Sequence, residues 1–296
     1  MKRSKIPLCF SAVAIMLVAF ISSCTTNQGN QQGGLDERTA QDTPSLAQIW
    51  KTDSTLTGSE STLYSAEANV IYVSCGNTDP VAKDSDGFIA LLNPDGSFKD
   101  RNWITGLHAP KGMAILQGKL YVTDIDEIVI IDIAKSEIES KVLVEGAVFL
   151  NDAASDGTLV YFSDSRAGVI YSLDIEGNIV AVIESTEGIN GLECFDGHLY
   201  ALDKEGLKRY DTKKYMPSLI NTEVTGGDGL IVLNDSTFIA SRWAGQIFFI
   251  KGNETSLLLD TQAEKSNTAD IGYISDENLL LVPTFMKNEV VAYHMK

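Results

Sequence analysis

Six polar residues recur along the 296-residue chain at starts separated by 51, 40, 39, 38 and 42 positions: Glu60, Lys111, Asn151, Asn190, Asp228 and Asp270. Three carboxylates and two amides are oxygen donors of the kind that calcium, magnesium and manganese take. None of the six is His or Cys, so a tetrahedral nitrogen and sulfur zinc site is not expected. Gathered in one buried place, such groups need partners, because each unsatisfied one costs roughly 1–3 kcal/mol. Water, a cation, a ligand or mutual pairing could supply them. Lys111 would bring an ammonium among these oxygens, to pair with Glu60 or Asp270 or to hold an anionic group of a substrate. Arg242 and Trp243 could grip a ligand carboxylate and a ligand ring face; the competing reading is a rim ion pair and a packing aromatic. Asp124, Asp164 and Asp203 end neighbouring segments, and His108 precedes one. His198 and His294 fall in strand-like stretches and read as structural.

Each of the six opens one copy of a pattern. ESTLYSAEANVIYVS, KGMAILQGKLYVTD, NDAASDGTLVYFSD, NGLECFDGHLYALD, DGLIVLNDSTFIAS and DIGYISDENLLLVP all read as a short strand, a turn rich in Gly, Asp and Asn, and a second strand. From opener to the middle of the second strand is ten residues in five copies and twelve in the first, Glu60 to Tyr72. A third apolar strand follows in every copy, and a fourth is expected around residues 141–146 and 179–185. A period near forty with several strands per unit is the signature of a propeller. The expected fold is therefore all-β, a six-bladed β-propeller over residues 46–296 with a four-stranded antiparallel sheet in each blade. The chain stops after the third strand of the last blade, so the orphan strand at Ala47–Lys51 is expected to complete that blade and close the ring. Innermost strands line a propeller's channel. The six openers should then stand around one mouth of it, with the loops after the second strands on the same face.

On these residues the chain resembles the senescence-marker-protein, gluconolactonase and regucalcin family, six-bladed propellers with one divalent metal in the channel. Gly58-Ser59-Glu60 is similar to the family's Gly-Glu, with one residue inserted. Asn151-Asp152 is similar to its Asn-Asp, Asn190-Gly191-Leu192 to its Asn-Gly-Leu, and Asp228-Gly229 to its Asp-Gly. The resemblance implies that Glu60, Asn190 and Asp228 bind a divalent metal, calcium first with magnesium, manganese or zinc as alternatives. It implies that Asn151 contacts metal-bound water or substrate and that Asp228 doubles as general base in hydrolysis of a lactone or related ester. Lys111, Asn151, Arg242 and Trp243 are the expected substrate contacts. The chain departs from the family at Phe149, where an Arg is common, and at Ser61 and Thr62, where a Pro often follows the Glu. The alternative function is a non-enzymatic ligand- or protein-binding propeller of the cell envelope.

The first residues carry an address. Lys2, Arg3 and Lys5 precede an apolar run from Ile6 to Ile21, and Ser22-Ser23-Cys24 follows. This reads as a signal peptide over 1–23 that is too short for a comfortable membrane span. Ile21-Ser22-Ser23-Cys24 resembles a lipobox, which implies lipidation of Cys24 and a bacterial cell-envelope protein, lipid-anchored, with the outer membrane as the expected site. Residues 24–45 are rich in Gln, Asn, Gly and Thr and read as a flexible tether. Losing residues 1–23 removes three basic residues and no acid, taking the formal charge from −17 to −20. That balance repels nucleic acid. The expected partner is a small molecule, the expected membrane contact is through the lipid, and the domain is expected to be monomeric. Of four cysteines only Cys75 and Cys194 remain in the fold. They fall in blades one and four, too far apart to bridge. No Gly-x-Ser-x-Gly elbow and no phosphate-binding loop is present.

Overall fold

The middle strands of each repeat are apolar on both sides. Val70–Cys75 is buried at every position, as are Val160–Asp164 and Leu279–Pro283. Successive side chains of a strand point to opposite faces, so such strands must be covered twice. The computed structural model, which describes residues 43–76 and 79–296, shows how. Ile71 and Val73 pack with Leu279, Leu281 and Ala292 of blade six, whereas Val70 and Tyr72 pack with Leu120, Val122 and Val129 of blade two. Six such apolar wedges, one between each pair of adjacent blades, make the core. Each fully buried Leu, Ile or Phe in a wedge contributes about 1.5–3 kcal/mol.

Six four-stranded antiparallel sheets result, and the expected propeller fold is observed. Within a blade the strands are hydrogen-bonded in chain order from the axis outward: in blade one Ser59–Ser65, Val70–Cys75, Gly87–Leu92 and Phe98–Leu107. Blade six differs as expected. Its inner three strands, Gly272–Ile274, Leu279–Pro283 and Val290–Met295, are joined by Leu46–Lys51 as the outermost. The closing pair runs from Leu46 opposite Met295 to Lys51 opposite Val291, with a bulge between Gln48 and Trp50. Ser45 and Lys296 exchange both backbone hydrogen bonds at 3.0 Å. Past the other end, Thr52 donates its N–H to Val290 O while Thr52 Oγ1 accepts from Val290 N–H, and Lys51 pairs with Glu289 at 2.9 Å. Residues Asp42–Lys296 form one compact unit. The signal segment and Cys24 lie outside the described residues, as does most of the tether.

Cys75 and Cys194 are free thiols, as expected. No helix among the described residues is long and apolar enough to cross a membrane.

Candidate functional site

Aligning the blades on their hydrogen bonds fixes which residue stands at the channel mouth in each. Ser61, Asp152 and Gly229 each donate their backbone N–H to a serine hydroxyl of the second strand, Ser74, Ser163 and Ser241. The residue just before each is therefore equivalent: Glu60, Asn151 and Asp228. Asn190 and Asp228 donate their N–H to equivalent carbonyls, Leu202 O and Ser241 O. In blade six the residue that does so is Ala269, bonded to Pro283 O. The expectation for Asp270 is thus corrected by one position. Ala269 occupies the mouth, and Asp270 belongs to the next tier down the channel with Ser61, Gly112, Asp152, Gly191 and Gly229.

The cause lies in the turns. Counting from each mouth residue to the second-strand side chain that enters the wedge with the following blade gives Tyr72, Tyr121, Tyr161, Tyr200, Ile239 and Leu281. A constant count of ten residues holds for blades two to four. It falls short in blade five, where a bulge lies between Val232 and Asn234, and in blade six, where a 3-10 turn at Ser275–Glu277 lengthens the hairpin.

Five of the six expected openers do converge. Glu60, Lys111, Asn151, Asn190 and Asp228 line one cavity of about 420 Å³ together with Pro80, Phe149, Trp243, Phe285 and Met286. The glycines of the second tier permit this convergence. A Cβ on Gly191 would stand 2.1 Å from Asp228 O, and one on Gly229 would stand 2.3 Å from Ile271 N. The Gly of Asn-Gly-Leu and Asp-Gly-Leu is there because the neighbouring inner strand passes too close for any side chain.

Polar groups at the mouth are incompletely partnered. Asn190 Nδ2 donates to Asp228 Oδ1 at 2.6 Å, which leaves the amide oxygen and the other carboxylate oxygen facing elsewhere. Asn190 Oδ1, Asp228 Oδ2 and Glu60 Oε2 are buried and accept no hydrogen bond. Only two other described side-chain oxygens, on Asp126 and Glu127, share that condition. Glu60 is 7 % exposed and Asp228 3 %. Burial, then the charges of Asp228 and Asp270, hold the Glu60 carboxyl well above its ordinary range, with Lys111 opposing. Burial, then Asp270, raise Asp228 to about 7. Three lone-pair oxygens without a donor, two of them on carboxyl groups whose ionisation burial disfavours, fit a divalent cation as hard oxygen ligands. Among the described residues no three His, Cys, Asp or Glu side chains cluster as a metal cage, so a cation here would need the amide of Asn190 as its third donor.

Lys111 is 3 % exposed and does not form the expected ion pair with Glu60 or Asp270. Its ammonium donates to Ala109 O at 2.8 Å and Pro80 O at 3.1 Å and sits 4.6 Å from the Phe149 ring centre. Burial lowers its pKa, offset in part by Glu60. Asn151 donates to Ser165 Oγ at 3.1 Å. Trp243 lies edge-on to Phe285 at 5.8 Å on the cavity wall. Arg242 does not line this cavity. Its guanidinium donates to Thr225 O and Glu223 O and rests over Phe248, which accounts for its strand-end position by loop bracing.

The acids that end second strands also brace loops. Asp124 accepts from His108 and Ala109 N–H, and Asp164 from Val148 and Phe149 N–H, so each holds the segment that delivers a mouth residue. Asp203 accepts from Glu205 and Gly206 N–H and pairs with Lys208 at 2.6 Å. His108 accepts from Ser85 N–H.

Sequence reasoning missed Pro80, Phe285 and Met286. All three lie in loops that leave second strands, the positions that the propeller rule sends to the mouth face, but none carries a charge to attract notice. It also missed the second tier. Asp152 and Asp270, from opposite blades, come within hydrogen-bonding reach, and Ser61 Oγ donates to Asp270 at 2.5 Å. Burial raises Asp270 to about 7 and Glu193, just beyond, to about 8.

Solved structures share this architecture. A candidate gluconolactonase superposes with a TM-score of 0.64 at 18 % identity, covering 86 % of this chain and 92 % of that one. A streptogramin B lyase gives 0.59 at 14 % identity, covering 86 % and 97 %. A catalytically inactive histidine-to-alanine variant of virginiamycin B lyase from Staphylococcus aureus, with quinupristin, gives 0.57 at 12 % identity, covering 85 % and 98 %. At these identities the likeness is one of fold. No family model and no curated protein matches the sequence.

Proposed function

We propose that this propeller is a metal-dependent hydrolase of a lactone or related ester, with Glu60, Asn190 and Asp228 as the metal ligands. The observation that carries the reading is the trio of buried oxygens without donors, found on three residues that line one cavity. A divalent cation there, calcium first among the candidates, would polarise the ester carbonyl and offset its developing negative charge. The chain's own groups do the rest. Asp228 takes a proton from the attacking water, and Asn151, tied to Ser165, orients that water. Lys111 has one N–H left after its two backbone acceptors and directs it to the substrate. The lyase whose inactive form lacks a histidine offers a different chemistry, but no histidine lines this cavity.

Metal analysis and hydrolysis of a lactone panel by the purified protein, beside Asp228→Ala, test the reading. Stoichiometric calcium or manganese, lost together with activity in the variant, is expected. Equal background rates and no metal in both proteins would overturn it. One observation favours the second reading, a non-enzymatic binding protein: Lys111 lies near enough to offset the charge of Glu60 without a cation. We also read the domain as carried at the bacterial cell envelope by lipid on Cys24.

A further inference from the structure

The walls of the cavity differ from its floor. Glu60, Asn151, Asn190 and Asp228 lie on the floor with Lys111, whereas Pro80, Phe149, Trp243, Phe285 and Met286 offer no hydrogen-bonding side-chain group apart from the indole N–H. The apolar surface continues outward. Val81 and Val148, neighbours of Pro80 and Phe149, are 40 % and 50 % exposed, and Trp243 and Met286 are 44 % and 58 % exposed. Phe285 is held in the left-handed region at φ +36°, a position that costs a bulky residue about 1–3 kcal/mol. Its backbone is clamped there by Phe285 N–H to Ser59 O at 3.0 Å and Asn288 N–H to Phe285 O at 3.1 Å. Strain maintained in this way keeps an aromatic ring on the cavity wall.

We infer that the substrate of this site is a lactone or ester with an apolar alkyl or aryl body, and that the aromatic wall selects against polyhydroxylated sugar lactones. The ester class rests on the function proposed above; the apolar body rests on the wall alone. Four hydroxyls spread around a sugar ring cannot all face the polar floor. Those turned to Phe149, Phe285 and Met286 would be desolvated without partners. An alkyl chain in the same place gains roughly fourfold in affinity per methylene buried. A cavity of about 420 Å³ admits one such small molecule.

The test separates binding from turnover. Calorimetry on the full-length protein with calcium compares two hydrolytically inert lactams, 6-pentylpiperidin-2-one and gluconolactam. Hydrolysis is followed with the matching δ-decalactone and glucono-δ-lactone. The pentyl lactam is expected to bind at least tenfold tighter. Trp243→Ser and Met286→Ser, at half-exposed positions and checked for folding by their melting temperatures, should each weaken it about three- to tenfold and leave gluconolactam unaffected. Equal affinities, a preference for gluconolactam, no binding of either, or variants without effect would overturn the inference. Tight gluconolactam binding with glucono-δ-lactone hydrolysis would overturn it while leaving the hydrolase reading in place. Pentyl-lactam binding with no δ-decalactone hydrolysis above Asp228→Ala would support the apolar site and remove the hydrolase reading.

Discussion

Asn190 shows how a single hydrogen bond prepares a site. By donating Nδ2 to Asp228 it fixes which way the amide faces, and its oxygen is left without a partner among buried carboxyl groups. Among the described residues that line the cavity Lys111 is the one cation, with the Arg166 guanidinium further out over Phe149, and its role can be measured. If the trio holds a divalent ion, Lys111→Met removes a competing positive charge near Glu60 and should tighten calcium binding by about three- to tenfold. If Lys111 instead replaces the ion as the neutralising charge, the same variant should leave calcium unbound and lower the melting temperature. Deeper in the channel, Asp270 and Glu193 hold their protons to about 7 and about 8, far above the 3.8 and 4.5 of free side chains. Between those limits the native state binds more protons than the unfolded chain, so the stabilising contribution is complete below about pH 4 and is lost as pH rises through 7 and 8. With chelator present, the melting temperature should fall by about 5 °C or more from pH 6 to pH 9. Glu193→Gln should flatten part of that slope, and a level wild-type profile would contradict the assignment.

At the scale of strands and turns, the inner strands set how near the mouth residues can come. Gly191→Ala and Gly229→Ala would each drive a methyl into the neighbouring blade's backbone. Losses of about 2–3 kcal/mol or more in denaturant unfolding are expected, against about 1–2 kcal/mol for Gly177→Ala, where φ is +88° but nothing lies within reach of the added methyl. The sequence made much of this scale legible. Strands covered on both faces read as unbroken apolar runs, and a turn recurs at a fixed distance from each opener, so blade number, blade order and five mouth residues could be read directly. Blade six could not, because a 3-10 turn with Asn278 in the left-handed region adds length that no residue type announces. The apolar wall stayed hidden for another reason. Phe285 and Met286 in a loop look like stray hydrophobes until the fold places that loop beside Asp228. Arg242 misled in the opposite sense, because a charge at a strand end can serve backbone carbonyls as readily as a ligand.

For the whole molecule, closure of the ring depends on Leu46–Lys51. Deleting residues 43–51 would bare the long edge of Val290–Met295 and uncover Trp50's seat on Gly96 and Pro94 O. A lower melting temperature and concentration-dependent association in sedimentation are expected, while an unchanged monomer would show that the closing strand is dispensable. Cys24→Ser should release the protein from the membrane fraction to the soluble fraction if the envelope reading holds, and retention there would refute it.

The mutual backbone contact of Ser45 and Lys296 has a topological corollary. A short glycine linker could join these two positions and make the polypeptide circular without disturbing any blade. New ends could then be opened elsewhere, for instance in the exposed turn of Asp174–Asn178, because no blade is a privileged starting point. Such a permutant would keep the five side chains at the axis in place while moving its point of attachment halfway around the disc. The orientation in which the cavity is presented could thus be changed without touching its chemistry.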